Sequence, residues 1–511
     1  MDLDPSRCYE AILTRDRRFD GRFFTGVVTT GIYCRPVCPV CPPKLKNMRF
    51  YPCAAAAEAA GFRPCKRCRP ETAPGTPAWA GSSAVVSRAL RLIGEGGLDD
   101  DGDLERFAAR LGIGERQLRR LFAQHLGASP SDVARARRVH FARTLIDQTD
   151  LPVSEIAMTS GFTSIRQFNH SLKATFGRSP TELRGPKTRT GESANAGVLV
   201  RLPYRPPLAW EAMLEFLAHR AIPGVESVEN GAYRRTISID GVAGTIEVRR
   251  GGDPRAAGAT RRTAGKDAPH HAAHLVMRVE LANCHNLIGV VEKVRRIFDL
   301  GADFPRIAEQ LSQAEPLRSL VAALPGLRVP GAWDGFEMAV RGVLGQQITV
   351  HGATTMARRL AEEFGTPLPA PRGSLTHVFP SAAALAEADL SRIGLTRARA
   401  ATIRTLAVAI ASGELKLDAA LGLDEAVERL CAIPGMGPWT ANYIAMRALA
   451  EPDAFLESDI GLRRALSESE PAAPARQVLR SAEAWRPWRS YAVIYLWHSL
   501  AARPRAMEKA S

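Results

Sequence analysis

Between residues 84 and 184 apolar side chains return every three or four positions, the period of amphipathic helices. Two segments there share one plan. Residues 104–113 followed by 115–122, and residues 153–162 followed by 164–176, each read as a short helix, a glycine turn and a second helix. In the second helices Leu118, Leu121 and Phe122, and Ile165, Phe168, Leu172 and Phe176, fall on one stripe and are expected in the core. The opposite faces carry Arg116, Gln117, Arg119 and Arg120, and Arg166, Gln167, Asn169, His170 and Lys173, side chains able to reach base edges and phosphates. An arginine-rich helix near 131–148 joins the units. Strand-like runs follow at 233–248 and 275–281, flanking a Gly/Ala/Arg/His stretch at 251–274 that reads as a loop. Residues 70–83 and 185–197 have the composition of linkers. Further on, 430–441 has the form of two helices around a Pro434-Gly435-Met436-Gly437 turn, whose backbone N–H groups can approach a phosphate at a helix start.

Composition narrows the partner. The formal charge is +15, from 68 Lys and Arg against 53 Asp and Glu. Arginine predominates, which suits bidentate phosphate contacts. At 511 residues the chain should hold roughly three or four domains. No stretch approaches the ~18 apolar residues of a membrane-spanning helix. The acidic start Met1-Asp2-Leu3-Asp4-Pro5 lacks the charged-then-apolar order of a signal peptide, so a cytoplasmic location is expected.

The cysteines add chemistry. Seven of the nine, Cys8, Cys34, Cys38, Cys41, Cys53, Cys65 and Cys68, precede residue 69. That suits a reducing compartment and a metal rather than a disulfide framework. Cys34/Cys38 and Cys65/Cys68, two close pairs 26 residues apart, have the ligand pattern of a tetrahedral Zn2+ thiolate site. Cys41 adds a fifth thiol beside them. Arg35, Lys44, Lys46, Arg49, Arg63, Lys66, Arg67 and Arg69 make this module basic. Residues 29–36 (TTGIYCRP) and 60–68 (AGFRPCKRC) resemble the N-terminal domain of the Ada methyl-response proteins. The resemblance implies that Cys34 is both a zinc ligand and a sacrificial acceptor of the methyl group of a DNA methylphosphotriester. The Pro-Cys-His-Arg motif of the methylguanine methyltransferase domain found in Ada proteins is absent, so no transfer from methylguanine bases is expected.

The tandem helical units, ending in Phe176-Gly177-Arg178-Ser179-Pro180-Thr181, resemble the AraC-type DNA-binding domain. That resemblance implies that Arg116, Gln117, Arg119, Arg166, Gln167 and Asn169 face DNA. The hairpin at 430–441, an apolar helix, and Asp459 twenty residues after Trp439 resemble the helix-hairpin-helix DNA glycosylases, and within them the AlkA-type 3-methyladenine glycosylases. Residues 336–347 and 485–492 support this, and the similarity spans about 198–500. It implies an aromatic pocket of Trp439, Tyr443 and Trp497 for a flipped cationic base, Asp459 as the catalytic carboxylate, and DNA contacts at Gly435, Gly437 and Gln347. Bifunctional relatives place a Schiff-base lysine where this chain has Trp439, so excision leaving an abasic site is implied. Where relatives have an apolar wedge, this chain has Gln347.

The expected architecture is multidomain and mainly α. It comprises a small zinc-bound α+β module (1–72), an AraC-type tandem helix-turn-helix (80–184), a linker (185–197), a small antiparallel sheet domain (198–285) and an all-α helix-hairpin-helix glycosylase domain (286–500). The expected function is regulation of the response to DNA alkylation combined with excision of alkylated bases. The cofactor is Zn2+. The partners are double-stranded DNA, alkylated or promoter, and RNA polymerase, with no membrane and a monomeric chain. The alternatives are a regulator whose glycosylase half only binds DNA, and a repair enzyme whose front half only localises it. Intact Asp459, Trp439 and Tyr443 oppose the first; intact Cys34 and two complete helix-turn-helix units oppose the second.

Overall fold

A computed structural model describes residues 3–74, 84–99, 102–184, 197–252, 273–282, 286–418, 420–467 and 472–502. The N-terminal module is a four-stranded sheet in the order Met48–Tyr51, Phe24–Val27, Ile32–Cys34, Arg63–Pro64. The last pair is parallel, and the Cys65 N–H donates to the Tyr33 carbonyl at 3.0 Å. This crossover brings the two cysteine pairs together, because each pair begins at the end of one of these neighbouring strands.

The helical units form as the periodicity predicts, over Leu104–Arg110 and Glu115–Leu126, then Val153–Thr159 and Ile165–Phe176. The Asp103 and Ser164 side chains accept from backbone N–H groups at two of the helix starts. Gly112 and Gly161, at φ +73° and +79°, turn each first helix into its second in the left-handed region that glycine tolerates best. Helix Pro130–Gln148 joins the units. One position departs from expectation. Ile165 is 44% exposed rather than in the core. It is the first residue of its helix, and the helix's buried residues begin at Phe168.

The run expected at 233–248 is two strands, Ala232–Ile239 and Val242–Arg250, folded back at Asp240-Gly241. Both turn residues have positive φ, the requirement of a tight two-residue hairpin. With Val198–Pro203, Glu226–Glu229 and His274–Leu281 they make a five-stranded antiparallel sheet. The helical region beyond also carries a two-stranded ribbon, Thr366–Arg372 with Leu375–Val378, which the apolar pattern did not announce. Of the expected linkers, Pro70–Thr72 forms a short 3-10 turn, whereas 75–83 and 185–196 lie outside the described residues, as do 253–272 of the expected loop. Among the described residues no helix is long and apolar enough to cross a membrane.

Packing does not follow the composition seams. One core joins the first helical unit to Cys53, Ala55 and Ala56 of the cysteine module. Another joins Ile156, Phe168 and Leu172 of the second unit to the five-stranded sheet and to helix Leu287–Ile297. Arginines fasten the regulator-like half to the helical half. Arg88 donates to the Ala420 carbonyl at 2.8 Å, and Arg91 donates to the Leu449 and Ala450 carbonyls and pairs with Glu451. Arg110 pairs with Asp418 at 2.8 Å. The fully buried Arg205 donates to the Asp20 carbonyl at 3.0 Å, tying the sheet to the cysteine module.

Candidate functional site

Cys34, Cys38, Cys65 and Cys68 converge, each offering a sulfur within 4.8 Å of the others; Cys34 is half-buried and the other three are buried. Cys41 is exposed and outside the cluster. Four converging sulfurs match the soft, four-coordinate donor set of a zinc site. The Arg35 N–H donates to Cys68 Sγ at 3.3 Å, as expected for a sulfur holding thiolate charge. Two of the cations that make the module basic are engaged structurally. Arg35 is 2% exposed, pairs with Asp20 and donates to the Cys68 carbonyl at 3.1 Å. Arg69 pairs with Glu71 and, across to the neighbouring helix, with Asp147. Composition counts charges without recording which ones an acid neutralises.

Next to Cys34, Tyr33 reaches inward. Its hydroxyl donates to Glu58 Oε1 at 2.8 Å, and the same oxygen bonds His140 Nε2 of helix Pro130–Gln148 at 2.8 Å. Burial alone would lower the His140 pKa, but the Glu58 carboxylate reverses this and the net shift is upward. Burial would raise that of Glu58, but His140 and the Tyr33 hydroxyl bring it down. The two shifts set a pH window. A raised histidine contributes stability that is complete below its ordinary pKa of ~6.5 and lost as pH climbs through the raised value. A lowered glutamate contributes above its ordinary ~4.3 and loses that as pH falls through the depressed value. The stability advantage of the parent over His140→Gln, followed by thermal melting, should therefore be greatest at about pH 5–6 and shrink as pH is raised past the histidine range. An advantage that grows with pH would refute the pairing.

The predicted DNA-reading side chains lie on open faces. Arg116, Gln117 and Arg119 are exposed on helix Glu115–Leu126, as are Arg166 and Asn169 on helix Ile165–Phe176, with Gln167 half-buried. Arg119 pairs with Glu115 one turn away at 2.7 Å.

The second constellation is built on helix Pro438–Arg447. Gly435 takes φ +85°, and a Cβ there would lie 2.2 Å from Thr402 Oγ1, so the hairpin accepts only glycine at this point. At Gly437 a Cβ would meet nothing within 4 Å, leaving the helix start open to an approaching strand. Trp439 and Tyr443, one turn apart, stack with centroids 5.3 Å apart and planes at 7°. Trp497, from helix Arg489–Ala502, stands 6.4 Å from Tyr443 and tilted by 49°. Asp459 caps helix Ile460–Ala465. Its Oδ1 accepts from the Leu462 N–H at 2.9 Å and Trp497 Nε1 at 3.0 Å, and its Oδ2 accepts from Trp439 Nε1 at 3.1 Å. The four residues implied by the glycosylase resemblance are thus brought together. Among the described residues no cation pairs with Asp459, so its charge is held by neutral donors alone. Gln347 is exposed at φ +55° in the turn ahead of helix Val350–Phe364. Its neighbour Gln346, overlooked in the sequence, fixes that turn to the hairpin by donating to the Gly435 carbonyl and to Thr440 Oγ1, both at 3.0 Å.

Comparison with known proteins matches these pieces. The model for the metal binding domain of Ada matches residues 7–71, a helix-turn-helix domain model matches 107–185, and the AlkA N-terminal domain model matches 199–334. A probable bifunctional transcriptional activator/DNA repair enzyme AlkA of Mycobacterium tuberculosis is 43% identical over 503 residues, covering 98% of this chain and 97% of that protein. The chain belongs to this bifunctional AlkA family. Two further relatives divide its length. DNA-3-methyladenine glycosylase 2 of Escherichia coli is 33% identical over 59% of this chain and 98% of its own. The bifunctional transcriptional activator/DNA repair enzyme Ada of the same organism is 31% identical over 36% of this chain and 49% of its own. The cysteine cluster therefore lies within the stretch matched by the metal binding domain of Ada, and Asp459 with its aromatic neighbours follows the stretch matched by the AlkA N-terminal domain.

Proposed function

We propose that this protein repairs and senses DNA alkylation, excising alkylated bases such as 3-methyladenine and accepting a methyl group from DNA methylphosphotriesters on Cys34. The observation that carries the excision reading is the carboxylate of Asp459, without a cationic partner among the described residues and held by the indole N–H groups of Trp439 and Trp497. A base alkylated on a ring nitrogen is cationic, and its bond to the sugar is weakened. Flipped from the helix, it is held by electron-rich faces, for which Trp439, Tyr443 and Trp497 supply the rings. As the glycosidic bond breaks, positive charge builds on the sugar. A fixed carboxylate whose own donors are neutral stabilises that charge without reorganising. Trp439 stands where bifunctional relatives carry an amine, so no imine forms and the product is an abasic site. Gly435 and Gly437 admit a phosphate to the hairpin.

In the sensor part, Cys34, Cys38, Cys65 and Cys68 would hold one Zn2+, which supplies the charge that keeps the sulfurs as thiolates at neutral pH. Cys34, the least buried of the four, is the nucleophile. Its sulfur attacks the methyl carbon of the triester; the S–C bond forms as the C–O bond breaks, and the phosphate recovers its negative charge. The product is S-methylcysteine, and there is no turnover. The transfer removes one negative charge facing a polyanion, so the helix-turn-helix units bind their DNA more tightly, in a salt-dependent way.

One incubation with methylated duplex tests both activities. Free 3-methyladenine is expected in solution, with one added methyl on the peptide holding Cys34. Methyl only on Cys41 or Cys68 would overturn the acceptor, and absence of released base would overturn excision.

A further inference from the structure

We propose that Arg447 is a positioning residue for excision, holding Tyr443 by its phenol oxygen so that the ring face stays set against the flipped base; this rests on the pocket reading above. Arg447 sits at the end of the hairpin's second helix, four residues after Tyr443, and is only 2% exposed. A guanidinium so deeply buried ordinarily keeps a carboxylate partner. Here the nearby acids are taken by other cations. Glu226 pairs with Arg341 at 2.7 Å, and Glu337 pairs with Arg235 at 2.7 Å. Among the described residues no carboxylate forms an ion pair with Arg447. All its polar partners are neutral. It donates to the Pro330 carbonyl, to the Gly331 carbonyl at 3.4 Å and, as its one side-chain partner, to the Tyr443 hydroxyl at 2.9 Å.

The surroundings hold this guanidinium in one place. Phe216 lies against two cations, with the Arg447 guanidinium 4.9 Å and the Arg220 guanidinium 3.9 Å from its ring centroid. Arg341 donates to the Arg220 carbonyl. Burial brings the Arg447 pKa down to about 10, in line with a cation that has no counter-charge. Burial would raise the Tyr443 pKa, yet Arg447, Arg220 and Arg341 bring it below its usual value, so the phenol oxygen carries the density that answers them. Trp439 fixes one face of the tyrosine ring by stacking, and Arg447 holds its far end by a hydrogen bond, with Arg220 acting on the same oxygen. Between them the ring loses both its tilt and its slide along the helix. The sheet half supplies Phe216 and Arg220, so the pocket wall is braced from outside the helical half.

The test is a double-mutant cycle on the full chain. Arg447→Lys keeps the charge but cannot span Tyr443, Pro330 and Gly331 together. Tyr443→Phe keeps the ring and the fold but removes the oxygen. Single-turnover release of 3-methyladenine at saturating DNA should fall roughly tenfold in each, with the DNA concentration for half-maximal rate shifted less than about twofold, because a displaced ring impairs the reacting geometry and not duplex binding. The double variant should lose no more than Tyr443→Phe alone, and not ~100-fold, since Arg447 acts through the oxygen that Tyr443→Phe removes; the Arg220 interaction with that oxygen is lost in both Tyr443→Phe backgrounds. Any loss through Pro330 and Gly331 is the same in both backgrounds and cancels in the cycle. Asp459→Asn is run alongside. If it retains the parent rate, the pocket reading itself falls. If it is inactive while the other two losses multiply to ~100-fold, or Arg447→Lys releases base at the parent rate, positioning through Tyr443 is overturned.

Discussion

Asp459→Asn should lower the rate of 3-methyladenine release by about 10²–10³ while duplex binding stays near the parent level. The loss has two sources. The amide removes the negative charge facing the developing cation on the sugar. It also offers one acceptor where the carboxylate offers two. Oδ1 serves two donors, the Leu462 N–H and Trp497 Nε1, so the asparagine oxygen should settle there. Its NH2 then meets the Trp439 indole N–H, donor against donor, and the indole must move. Asparagine caps a helix as well as aspartate does, so helix Ile460–Ala465 should stay folded. Single-turnover excision on a duplex carrying 3-methyladenine and fluorescence anisotropy on an abasic-site duplex of the same sequence separate the two readouts. Release at the parent rate would remove Asp459 from the chemistry.

Cys38→Ser should cost the chain its metal and with it the folded N-terminal module. Elemental analysis should find about one zinc per chain in the parent and far less in the variant, because a hydroxyl is a poor substitute for one of four thiolates. Apart from its contacts with the neighbouring domains, the module has little core of its own. Its own buried clusters are small, one built on Cys8, Ala11, Ile12, Phe23 and Met48, another on Phe24, Tyr33, Ala54 and Ala57. Metal binding in so small a domain supplies folding energy directly, on the order of 10 kcal/mol. Residues 3–74 should therefore become protease-sensitive in the variant. Full zinc occupancy in the Cys38→Ser, Cys65→Ser double variant would overturn the ligand set.

Spacing made the cysteine set legible, whereas Trp439, Tyr443, Trp497 and Asp459 were legible through the family resemblance of the hairpin that carries them. The cysteine pairs sit at i, i+4 and i, i+3, Trp439 and Tyr443 are one helical turn apart, and Asp459 follows at a distance that one apolar helix accounts for. What escaped the sequence depends on contacts between distant segments. Arg447 looks like any arginine ending a helix until Pro330, Gly331 and Phe216 close around it. Arg35 counts as surface charge until Asp20, fifteen residues earlier, buries it. Ile165 obeys the helical period yet lies beyond the buried part of its helix. In the strand run at 233–248 the apolar positions pass from odd (Tyr233, Ile237, Ile239) to even (Val242, Ile246, Val248) across Asp240-Gly241, and that phase shift with the turn chemistry of the pair marks the reversal.

Arg88, Arg91, Arg110 and Arg205 give the two halves a shared thermodynamic fate. Their guanidinium groups are satisfied by carbonyls and carboxylates of the opposite half, so separating the halves leaves polar groups to be resolvated at both surfaces. Stability then flows across the seam. DNA bound at the hairpin of residues 434–437 would raise the free energy needed to melt the cysteine module, and a metal held by Cys34, Cys38, Cys65 and Cys68 would do the same for the pocket around Asp459. A calorimetric scan of the intact chain should show one endotherm whose midpoint answers to ligands at either end; two separate endotherms would refute the coupling.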